Sequence, residues 1–406
     1  MSGSSGWVLA GVSLVKSHIR RQAWPAALQS CAMPKEKDQL GHHHTFVGSW
    51  KRNPVQSQCC AGIFQAYAQH ESSEPLFFCG AAEDILTEFP AESIDFTMTS
   101  PPYWGHRQYS GGGVGLEREP AEYIAALLRV FDQLHRVLKP TGSFWLNIGD
   151  SYRDKRLLGL PWRVAIAMMD TQGWILRNAV VWNKVKGGPD PAPDKLRNVH
   201  EPVFHFVKRA TGYYYNVDAI RSTPQQAQII NGAVVSATGV SGVRYRRQIE
   251  LSTHLSPSEK ERAFAALDAI LDEVRNRKLA DFRMIIRGQQ RATHSDSELV
   301  SGRARDLQAY GFYFLRYHPN GSKPSDVWDI IPEDTQDRQT HFAPYPKDLC
   351  RIPLLATCPE MGIALDPFCG TGTTNLVARH LNRRSIGIDI SDEYIEEAVK
   401  RCTMLL

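Results

Sequence analysis

Residues 363–374 read IALDPFCGTGTT, a short apolar run followed by an aspartate, a glycine-rich turn and threonines. This pattern is typical of a strand, a tight turn and the first turn of a helix. Glycine lets the backbone approach a bound ligand closely, and the free amides of a helix N-terminus can bind a carboxylate. A second apolar run ends in Asp389, 19 positions after Gly370, which is the span at which nucleotide-binding folds place an acid against ribose hydroxyls. The stretch therefore predicts the ligand-binding turn of an α/β fold.

A lone Gly-x-Gly also occurs in ordinary strand-to-helix turns. The stretch has no Gly-Lys-Ser/Thr of a P-loop, and it is shorter than the dinucleotide-binding fingerprint. The type of ligand must therefore be argued from other parts of the chain.

A second stretch, TSPPYW at residues 99–104, follows the apolar run 94–98. If that run is a strand, the stretch lies where α/β sheets place their active sites. The two prolines fix the backbone and remove two N–H donors, so their carbonyls point outward as acceptors. Such a carbonyl, together with the Ser100 hydroxyl, can accept both hydrogens of an exocyclic amine, while the Tyr103 ring can stack on a planar base. The alternative interpretation is a proline-rich turn with an exposed aromatic residue.

Strand-like runs alternate with helical periods over residues 76–221 and 340–406. Strands are predicted at 76–79, 94–98, 143–148, 175–182, 202–207, 362–365 and 385–388. Helices are predicted at 83–89, 120–139, 159–173, 346–356, 373–381 and from 392 onward. The alternation predicts an α/β fold with a mainly parallel sheet and helices on both faces.

Two segments depart from this alternation. Residues 222–339 are first polar and glycine-rich and then rich in arginine, and a capping box at Ser256 predicts a long helix through about Ile286. We interpret this segment as an inserted module between a catalytic half (76–221) and a cofactor half (340–406). Residues 1–75 show no sustained period, which predicts a poorly ordered extension.

The composition excludes several classes of protein. No apolar run approaches the roughly 18 residues of a membrane span, so no membrane partner is expected. The net charge of +4 comes from the first 60 residues, so nucleic-acid affinity would depend on local patches. The eight cysteines include no Cys-x-x-Cys, which favours reduced thiols in an intracellular protein, in the cytoplasm or nucleoid of a bacterium or the nucleus of a eukaryote. Histidines 42–44 with Cys59 and Cys60 fit a polar linker better than a metal site, and no metal is predicted.

The two motifs together resemble those of the DNA amino-methyltransferases. The catalytic motif precedes the cofactor motif with a variable segment between them, which is the permuted order of the β class of that family. The resemblance extends over residues 76–404 and includes FWLNIGDSY (144–152), KPSDVWD (323–329) and HFAPYP (341–346). It implies a Rossmann-like methyltransferase fold that binds S-adenosyl-L-methionine (AdoMet), with the inserted segment as a target-recognition module.

The resemblance also implies roles for individual residues. AdoMet would be bound by Asp366, Phe368, Gly370, Thr371, Gly372, Thr373, Asp389 and Phe342. The amine of a flipped base would be held by Ser100, Pro101, Pro102 and Tyr103. Candidates for contact with double-stranded DNA are Trp104, Arg107, Arg244, Arg246 and Arg247. The last three are chosen for their clustered positive charge, and a solvated helix face is the alternative interpretation for them. Homodimers are frequent in the family, so a homodimer is a further expectation.

The resemblance leaves three possible functions open. Serine in the Thr-Ser-Pro-Pro-Tyr motif is typical of cytosine-N4 enzymes, whereas adenine-N6 enzymes more often carry aspartate, so cytosine-N4 is favoured and adenine-N6 is the alternative. A catalytically silent DNA reader is a third assignment. Because a serine hydroxyl is too weak a base to deprotonate the amine, we expect direct attack, with the proton lost afterwards. Cytosine-C5 methylation is rejected because the chain has no Pro-Cys dipeptide.

The sequence departs from the family pattern at one position. The family usually has Gly-Asp after its first strand, with the acid near the adenine of AdoMet. Here the strand is followed by Gly80-Ala81-Ala82-Glu83-Asp84. Either Glu83 or Asp84 replaces that acid, or the contact is absent.

Overall fold

The fold is built on one large sheet. The computed structural model describes residues 47–49, 54–105, 113–187, 190–222, 226–288, 302–333 and 345–403. The strands are β1 (Val47–Ser49), β2 (Leu76–Cys79), β3 (Ile94–Thr99), β4 (Leu138–Asn147), β5 (Tyr152–Arg153), β6 (Arg156–Leu157), β7 (Ile175–Asn183), β8 (His200–Val207), β9 (Gln228–Ile230), β10 (Ala233–Ser236), β11 (Gly239–Val240), β12 (Asp281–Ile286), β13 (Phe312–Tyr317), β14 (Val327–Asp329), β15 (Ile363–Asp366) and β16 (Arg384–Asp389). The α-helices are α1 (Pro54–Ala68), α2 (Ala82–Thr87), α3 (Pro120–Val137), α4 (Leu160–Gln172), α5 (Ser241–Leu251), α6 (Pro257–Arg275), α7 (Gly302–Tyr310), α8 (Lys347–Thr357), α9 (Thr373–His380) and α10 (Asp392–Thr403).

Within the described residues the main sheet has nine strands in the order β1-β2-β16-β15-β3-β4-β8-β7-β14. Neighbouring strands are parallel except at β8, which is antiparallel to both β4 and β7. The carboxyl ends of the parallel strands and the amino end of β8 therefore meet at one edge of the sheet. Strands β15 and β16, which come late in the chain, lie between β2 and β3, and this is the permuted order that the sequence predicts.

Helices cover both faces of the sheet, as predicted. Buried side chains of α1 to α4 form one apolar cluster with the sheet, and those of α8 and α9 form another on the opposite side. The β2 strand illustrates the division, because Phe78 belongs to the first cluster while Phe77 packs against α9 and α10. Both faces of the strand are buried, which explains its continuous apolar sequence.

Helix α3 is amphipathic and its ends follow from its sequence. Pro120 occupies the first turn, and Glu119 and Glu122 form a capping box that satisfies free backbone N–H groups. Its buried stripe includes Leu127, Phe131 and other residues spaced by three or four positions. The helix ends at Val137, three residues before Pro140, as the sequence predicts.

The predicted long helix from Ser256 is wrong after residue 275, over about its last third. The capping box at Ser256 is present, but α6 ends at Arg275. Arg277 adopts a left-handed φ of 56°, which turns the chain out of the helix. The following residues form β12, which pairs with β13 and alternates buried and exposed side chains at Phe282, Arg283 and Met284. The pairing partner, β13, lies about 30 residues further along, so a local helical interpretation could not take it into account.

Structure also begins earlier than the predicted start at residue 76. Helix α1 buries Cys60, Ile63, Phe64 and Tyr67 against the first cluster. The Tyr67 hydroxyl donates to the carbonyl of Ser385 at 2.9 Å and accepts from its amide at 2.8 Å. The four buried residues follow the i, i+3, i+4, i+7 spacing of a helix face, so the sequence does carry the signal. The histidines at 42–44, interpreted from the sequence as part of a polar linker, lie outside the described residues, as does the side chain of Cys59.

The inserted segment has an apolar core of its own. Its buried residues come from β10, α5, α6 and β12 and form a cluster distinct from those beside the sheet. The two ends of the inserted segment lie side by side. The Ser222 amide donates to the Ser322 carbonyl at 2.9 Å, and the Arg221 side chain donates to the Gly321 carbonyl at 2.9 Å. After this return, β14 joins the main sheet beside β7. We therefore propose module boundaries of 222–322 instead of the predicted 222–339.

No helix among the described residues is long and apolar enough to cross a membrane.

Candidate active site

A cavity of about 920 Å³ lies at the edge of the sheet where the strand ends meet. The two motifs that the sequence singles out follow neighbouring strands, β3 and β15, and both contribute to its wall. The catalytic motif contributes Ser100, Pro101, Pro102 and Tyr103, and the cofactor motif contributes Phe368, Gly370, Thr371, Thr373 and Asp389. The structure thus brings together residues that are almost 300 positions apart in the sequence.

Asp389 lies at the end of β16 with one carboxylate oxygen on each of two backbone amides. Oδ2 accepts from the Gly370 N–H at 2.9 Å, and Oδ1 accepts from the Ser391 N–H at 3.0 Å. Burial raises the pKa of Asp389 to about 6, although both hydrogen bonds oppose that change. Each oxygen retains a lone pair, so the carboxylate can still accept hydrogen bonds from a vicinal diol such as that of a ribose.

Asp366 lies behind the glycine-rich loop instead of on the described cavity wall. Its carboxylate accepts from Thr99 Oγ1 at 2.6 Å, Thr374 Oγ1 at 2.6 Å, the Tyr345 hydroxyl at 2.9 Å and the Phe368 amide at 3.2 Å. These contacts tie β3, the loop and α9 to one buried group. Burial raises the pKa of this carboxyl. The structure indicates that Asp366 shapes the loop, and a direct cofactor contact stays a prediction.

The two loop glycines have positive φ angles, 50° at Gly370 and 72° at Gly372. Gly372 is also tightly packed, because a Cβ atom there would lie 2.9 Å from the Cβ of Ala398 in α10. It lies outside the described cavity wall, so its part in cofactor binding is to let the loop fit under α10. Arg401 of α10 fixes the same loop by donating to the Thr371 carbonyl at 2.7 Å.

This half of the cavity fits AdoMet. Asp389 offers acceptors for the ribose, and the glycine at 370 brings the backbone close to the cavity. The Phe368 ring, which lines the wall, offers an apolar face. Of the two acids after β2, Glu83 lines the cavity and forms an ion pair with Arg129 at 3.2 Å, whereas Asp84 is not on the described wall. Glu83 is therefore the candidate for the acid that the family pattern expects there.

The catalytic half presents two acceptors beside an aromatic ring. The Ser100 hydroxyl donates to the Tyr103 hydroxyl at 3.2 Å, and its lone pairs remain for a substrate N–H. The Pro102 carbonyl accepts from the Tyr123 hydroxyl at 2.9 Å. The Pro101 carbonyl meets no donor from the part of the chain that is described. Ser100 and Pro101 therefore offer the pair of acceptors that an exocyclic NH₂ group requires.

Tyr103 is held in place by its surroundings. Gly149 packs so close that a Cβ atom there would lie 2.5 Å from Cε2 of the tyrosine ring. The Tyr103 hydroxyl donates to Oε2 of Glu201 at 2.8 Å. Burial, and then the charge of Glu201, hold the pKa of Tyr103 well above its ordinary value, so the phenol stays protonated.

Three residues of this network are absent from the sequence-based prediction. Asn147 at the end of β4 donates to Oε2 of Glu201 at 3.1 Å, and Lys184 after β7 donates to Oε1 of Glu201 at 2.5 Å. Glu201 lies at the amino end of β8, which the antiparallel pairing brings to the carboxyl ends of the other strands. A polar residue directly before the apolar run of β8 is the one sequence signal that could have indicated it.

The remaining predicted residues are distributed as follows. The Trp104 indole packs against the first apolar cluster and donates to the Glu117 carbonyl at 2.9 Å, and Trp104 is not among the described residues that line the cavity. Phe342 and Arg107 lie outside the described residues. The three arginines predicted to contact DNA, Arg244, Arg246 and Arg247, lie together on α5 in the inserted module.

These three arginines differ in environment. Arg244 is half-buried and stacks on the Tyr245 ring at 4.3 Å, and Arg246 forms an ion pair with Asp268 of α6. Arg247 is exposed. Arg247 is therefore the one of the three that is best placed to meet a phosphate.

The six cysteines whose side chains are described are buried thiols that form no disulfide with one another. Burial raises the pKa of Cys369, inside the cofactor motif, well above its ordinary value. A thiol in this state is a poor nucleophile.

The fold and the cavity place a glycine-rich turn and Asp389 beside the Ser100–Tyr103 motif, which is an arrangement compatible with a nucleoside-bearing cofactor next to a group that donates hydrogen bonds. Comparison with known proteins gives the family: residues 94–400 match the N6/N4 methyltransferase family, described as DNA methylases. The type II methyltransferase M.SfiI of Streptomyces fimbriatus is 31% identical over 392 residues, covering 82% of this chain and 92% of its own length. M.SmaI of Serratia marcescens, also a type II methyltransferase, is 26% identical over 352 residues, covering 79% and 88%.

Among solved structures, the PvuII DNA methyltransferase (cytosine-N4-specific) is similar, with 17% identity and a TM-score of 0.49 over 81% of this chain and 86% of that one. The family match spans most of the chain, so the protein belongs to the N6/N4 DNA methylase family. It is a type II DNA methyltransferase with a Rossmann-like fold that uses AdoMet and acts on DNA, and its relatives connect it with restriction–modification. The predictions of family, fold and cofactor are confirmed.

Proposed function

We propose that this enzyme methylates the exocyclic N4 of cytosine in double-stranded DNA after flipping the base out of the helix. The observation that carries the proposal is the pair of acceptors, the Ser100 hydroxyl and the Pro101 carbonyl, beside the Tyr103 ring. Their positions on one cavity wall support an amine held by its two hydrogens with its nitrogen lone pair facing the cofactor half. A base inside a duplex cannot reach such a recessed site, so flipping is required.

AdoMet supplies an electrophilic methyl group on its sulfonium when it is bound. The protein's contribution is to position the amine and exclude water, which is most of what a direct displacement needs. Ser100 accepts one N–H and Pro101 the other, while Tyr103 stacks on the base. Because a serine hydroxyl is a weak base, N4 attacks as the neutral amine and loses its proton afterwards.

The preference for cytosine over adenine rests on Ser100. A serine in this motif is typical of the cytosine-N4 enzymes in the family. The acceptor pair by itself suits any exocyclic amine, so adenine-N6 is the competing product.

Target recognition is proposed for residues 222–322. The supporting observations are the module's separate apolar core and the exposed Arg247 on α5. Arginine side chains bind phosphates and guanine edges.

The test is nucleoside mass spectrometry on mixed-sequence DNA after incubation with isotope-labelled AdoMet. Labelled N4-methylcytosine is the expected product, and labelled N6-methyladenine would move the proposal to adenine. Ser100→Ala tests the role of the serine hydroxyl. We expect this variant to lower the methylation rate by about 100-fold, the scale of a lost positioning contact. Its AdoMet affinity should stay unchanged, because Ser100 belongs to the catalytic motif and forms its hydrogen bond with Tyr103 and not with the glycine-rich turn. A chain that binds AdoMet and DNA but labels no base would be a silent reader.

A further inference from the structure

The hydroxyls of the catalytic half form a directed chain that leads away from the amine site. Ser100 Oγ donates to the Tyr103 hydroxyl at 3.2 Å, and the Tyr103 hydroxyl donates to Glu201 Oε2 at 2.8 Å. Glu201 Oε2 is the nearer of two acceptors for this hydrogen, because Asn147 Oδ1 lies at 3.4 Å. Each group thus gives its hydrogen to the next, and the chain ends at a carboxylate. This is the geometry in which a proton entering at one end is passed on by successive short transfers.

We propose that Ser100, Tyr103 and Glu201 form a proton relay that carries the surplus proton of the methylated amine out of the active site, with Glu201 as the positioning residue at its end. The proposal rests on the proposed function only in requiring an exocyclic amine as the nucleophile. It applies equally to cytosine N4 and adenine N6.

Methyl transfer leaves one surplus proton on the amine, and the relay moves it to Glu201. Formation of the N–CH₃ bond breaks the bond from that carbon to sulfur, and the amine nitrogen is left with both its hydrogens, the methyl group and a positive charge. Ser100 Oγ accepts one of these protons and gives its own to Tyr103, which gives its own to Glu201. The base and both hydroxyls end neutral, the carboxyl is protonated, and the proton then passes to water.

The negative end of the relay also favours the chemical step itself. Positive charge develops on the amine as it attacks, and a chain of aligned hydrogen bonds ending in a carboxylate stabilises that charge in a water-excluded site. The raised pKa of Tyr103 fits this function, because the phenol stays protonated and passes the proton on without becoming a stable phenolate.

Two neighbours, Lys184 and Asn147, compensate the charge of Glu201 and orient its carboxylate. Its side chain is 13% exposed, and Oε1 accepts from Lys184 Nζ at 2.5 Å. The ammonium group, itself 29% exposed and 5.0 Å from the Trp182 ring centre, compensates the partly buried charge. Asn147 donates to Oε2 at 3.1 Å, so it orients the oxygen that faces Tyr103. Both Lys184 and Glu201 line the cavity, which gives the proton a route to solvent.

The decisive variant is Glu201→Gln, whose amide oxygen can still accept from Tyr103 but cannot take up its proton. We expect the single-turnover methylation rate to fall by about 100-fold, because the positive charge that develops on the attacking amine loses the carboxylate that stabilises it through the aligned hydrogen bonds. The dissociation constants for AdoMet and DNA should stay within twofold of wild type. Glu201→Asp keeps a carboxylate and should retain more of the rate than the glutamine variant.

The matched control is Asp95→Asn at the opposite end of β3. Asp95 has the same kind of ion pair, with Lys139 at 2.7 Å, and a similar side-chain exposure of 12%. This variant should leave the single-turnover rate within twofold of wild type. Because Glu201→Gln leaves the Lys184 charge without its partner, the double variant Lys184→Met/Glu201→Gln is also measured, and it should remain slow.

A second readout separates a relay from mere support of the tyrosine ring. A fluorescent analogue of the target base, cytosine or adenine as the mass spectrometry identifies it, is placed at the target position located by sequencing methylated DNA, and it reports base flipping and stacking on Tyr103. The relay predicts unchanged fluorescence in Glu201→Gln together with slow methylation. A rate equal to that of the Asp95→Asn control, or a slow rate accompanied by lost base stacking, refutes the relay. An inactive wild-type enzyme refutes the proposed function instead, so the two failures are distinguishable.

Discussion

At the residue scale, Asp389 connects cofactor binding to pH. Its pKa of about 6 means that the carboxyl becomes protonated as the pH falls through 6 and loses acceptors for the ribose. We expect AdoMet affinity, measured by calorimetry, to fall by about tenfold between pH 7 and pH 5, since a single group sets the ionised fraction. The Asp389→Asn variant should bind more weakly at pH 7 and show no such change.

The free protein should respond to this group in the opposite direction. Because the folded-state pKa of Asp389 is raised above its unfolded value, the stability that this group contributes is present at low pH and is lost as the pH rises through about 6. A wild-type affinity that is flat from pH 7 to pH 5 would contradict the assignment of Asp389 as the ribose acceptor.

Part of the site could be predicted from short stretches of sequence. Ser100 and Tyr103 follow a strand directly, and Asp389 ends one, so their place at the sheet edge follows from local pattern alone. Glu201 and Lys184 could not be found in this way. They reach the site because β8 runs antiparallel to its neighbours, and single-sequence periodicity does not report strand direction.

At the element scale, the start of α9 depends on close packing at Gly372. Two glycines with nearly equal φ angles provide a comparison, Gly372 at 72° and Gly173, after α4, at 74°. A Cβ atom at Gly372 would lie 2.9 Å from Ala398 Cβ, whereas one at Gly173 meets no atom within 4 Å. Both alanine variants lose about 1 kcal/mol to the left-handed backbone, and Gly372→Ala should lose a further 1–3 kcal/mol, approximately, to overpacking.

Urea unfolding of the two variants measures this difference. Gly372→Ala should also weaken AdoMet binding, because α9 and the loop must move away from α10. Equal destabilisation of the two variants would show that the packing under α10 adjusts without cost.

Helix α5 offers a second comparison, between Arg247 and Arg246. Arg247 is exposed, whereas Arg246 is paired with Asp268. If α5 meets the DNA backbone through Arg247, Arg247→Gln should weaken DNA binding and reduce the slope of log affinity against log salt by about one. Arg246→Gln should change both quantities less. Filter binding over a salt series measures them, and an unchanged slope in Arg247→Gln would remove α5 from the interface.

The elements that the sequence predicts well are those whose signal is local. Strand β2 is apolar on both faces and is bounded by glycine, and helix α3 begins at a proline with a capping box, so both are found from the sequence. Helix α6 was predicted too long because the residues of β12 carry an apolar pattern that pairs with a distant strand.

At the scale of the whole molecule, the inserted module and the main sheet have separate apolar cores. A substitution in one core should therefore impair the binding function of that part alone. Leu267 is buried in the module's own cluster. Leu267→Ala should cost about 2–5 kcal/mol within that cluster, impair DNA binding and leave AdoMet affinity unchanged. Leu134→Ala, in the cluster beside the sheet, is the control and should lower the stability of the part that holds AdoMet. Calorimetry with AdoMet and thermal unfolding check both, and weakened AdoMet binding in Leu267→Ala would argue against independent cores.

The position of β15 and β16 has a consequence for synthesis on the ribosome. These strands leave the ribosome after all the other described strands, yet they occupy the places between β2 and β3. Until they have been synthesised, β2 lacks its neighbour β16 and β3 lacks its neighbour β15, so both strands present unpaired backbone N–H and C=O groups. A chain truncated before Ile363 should therefore expose two strand edges that can pair with other chains. It should bind neither cofactor nor target base, because it lacks the glycine-rich turn and Asp389.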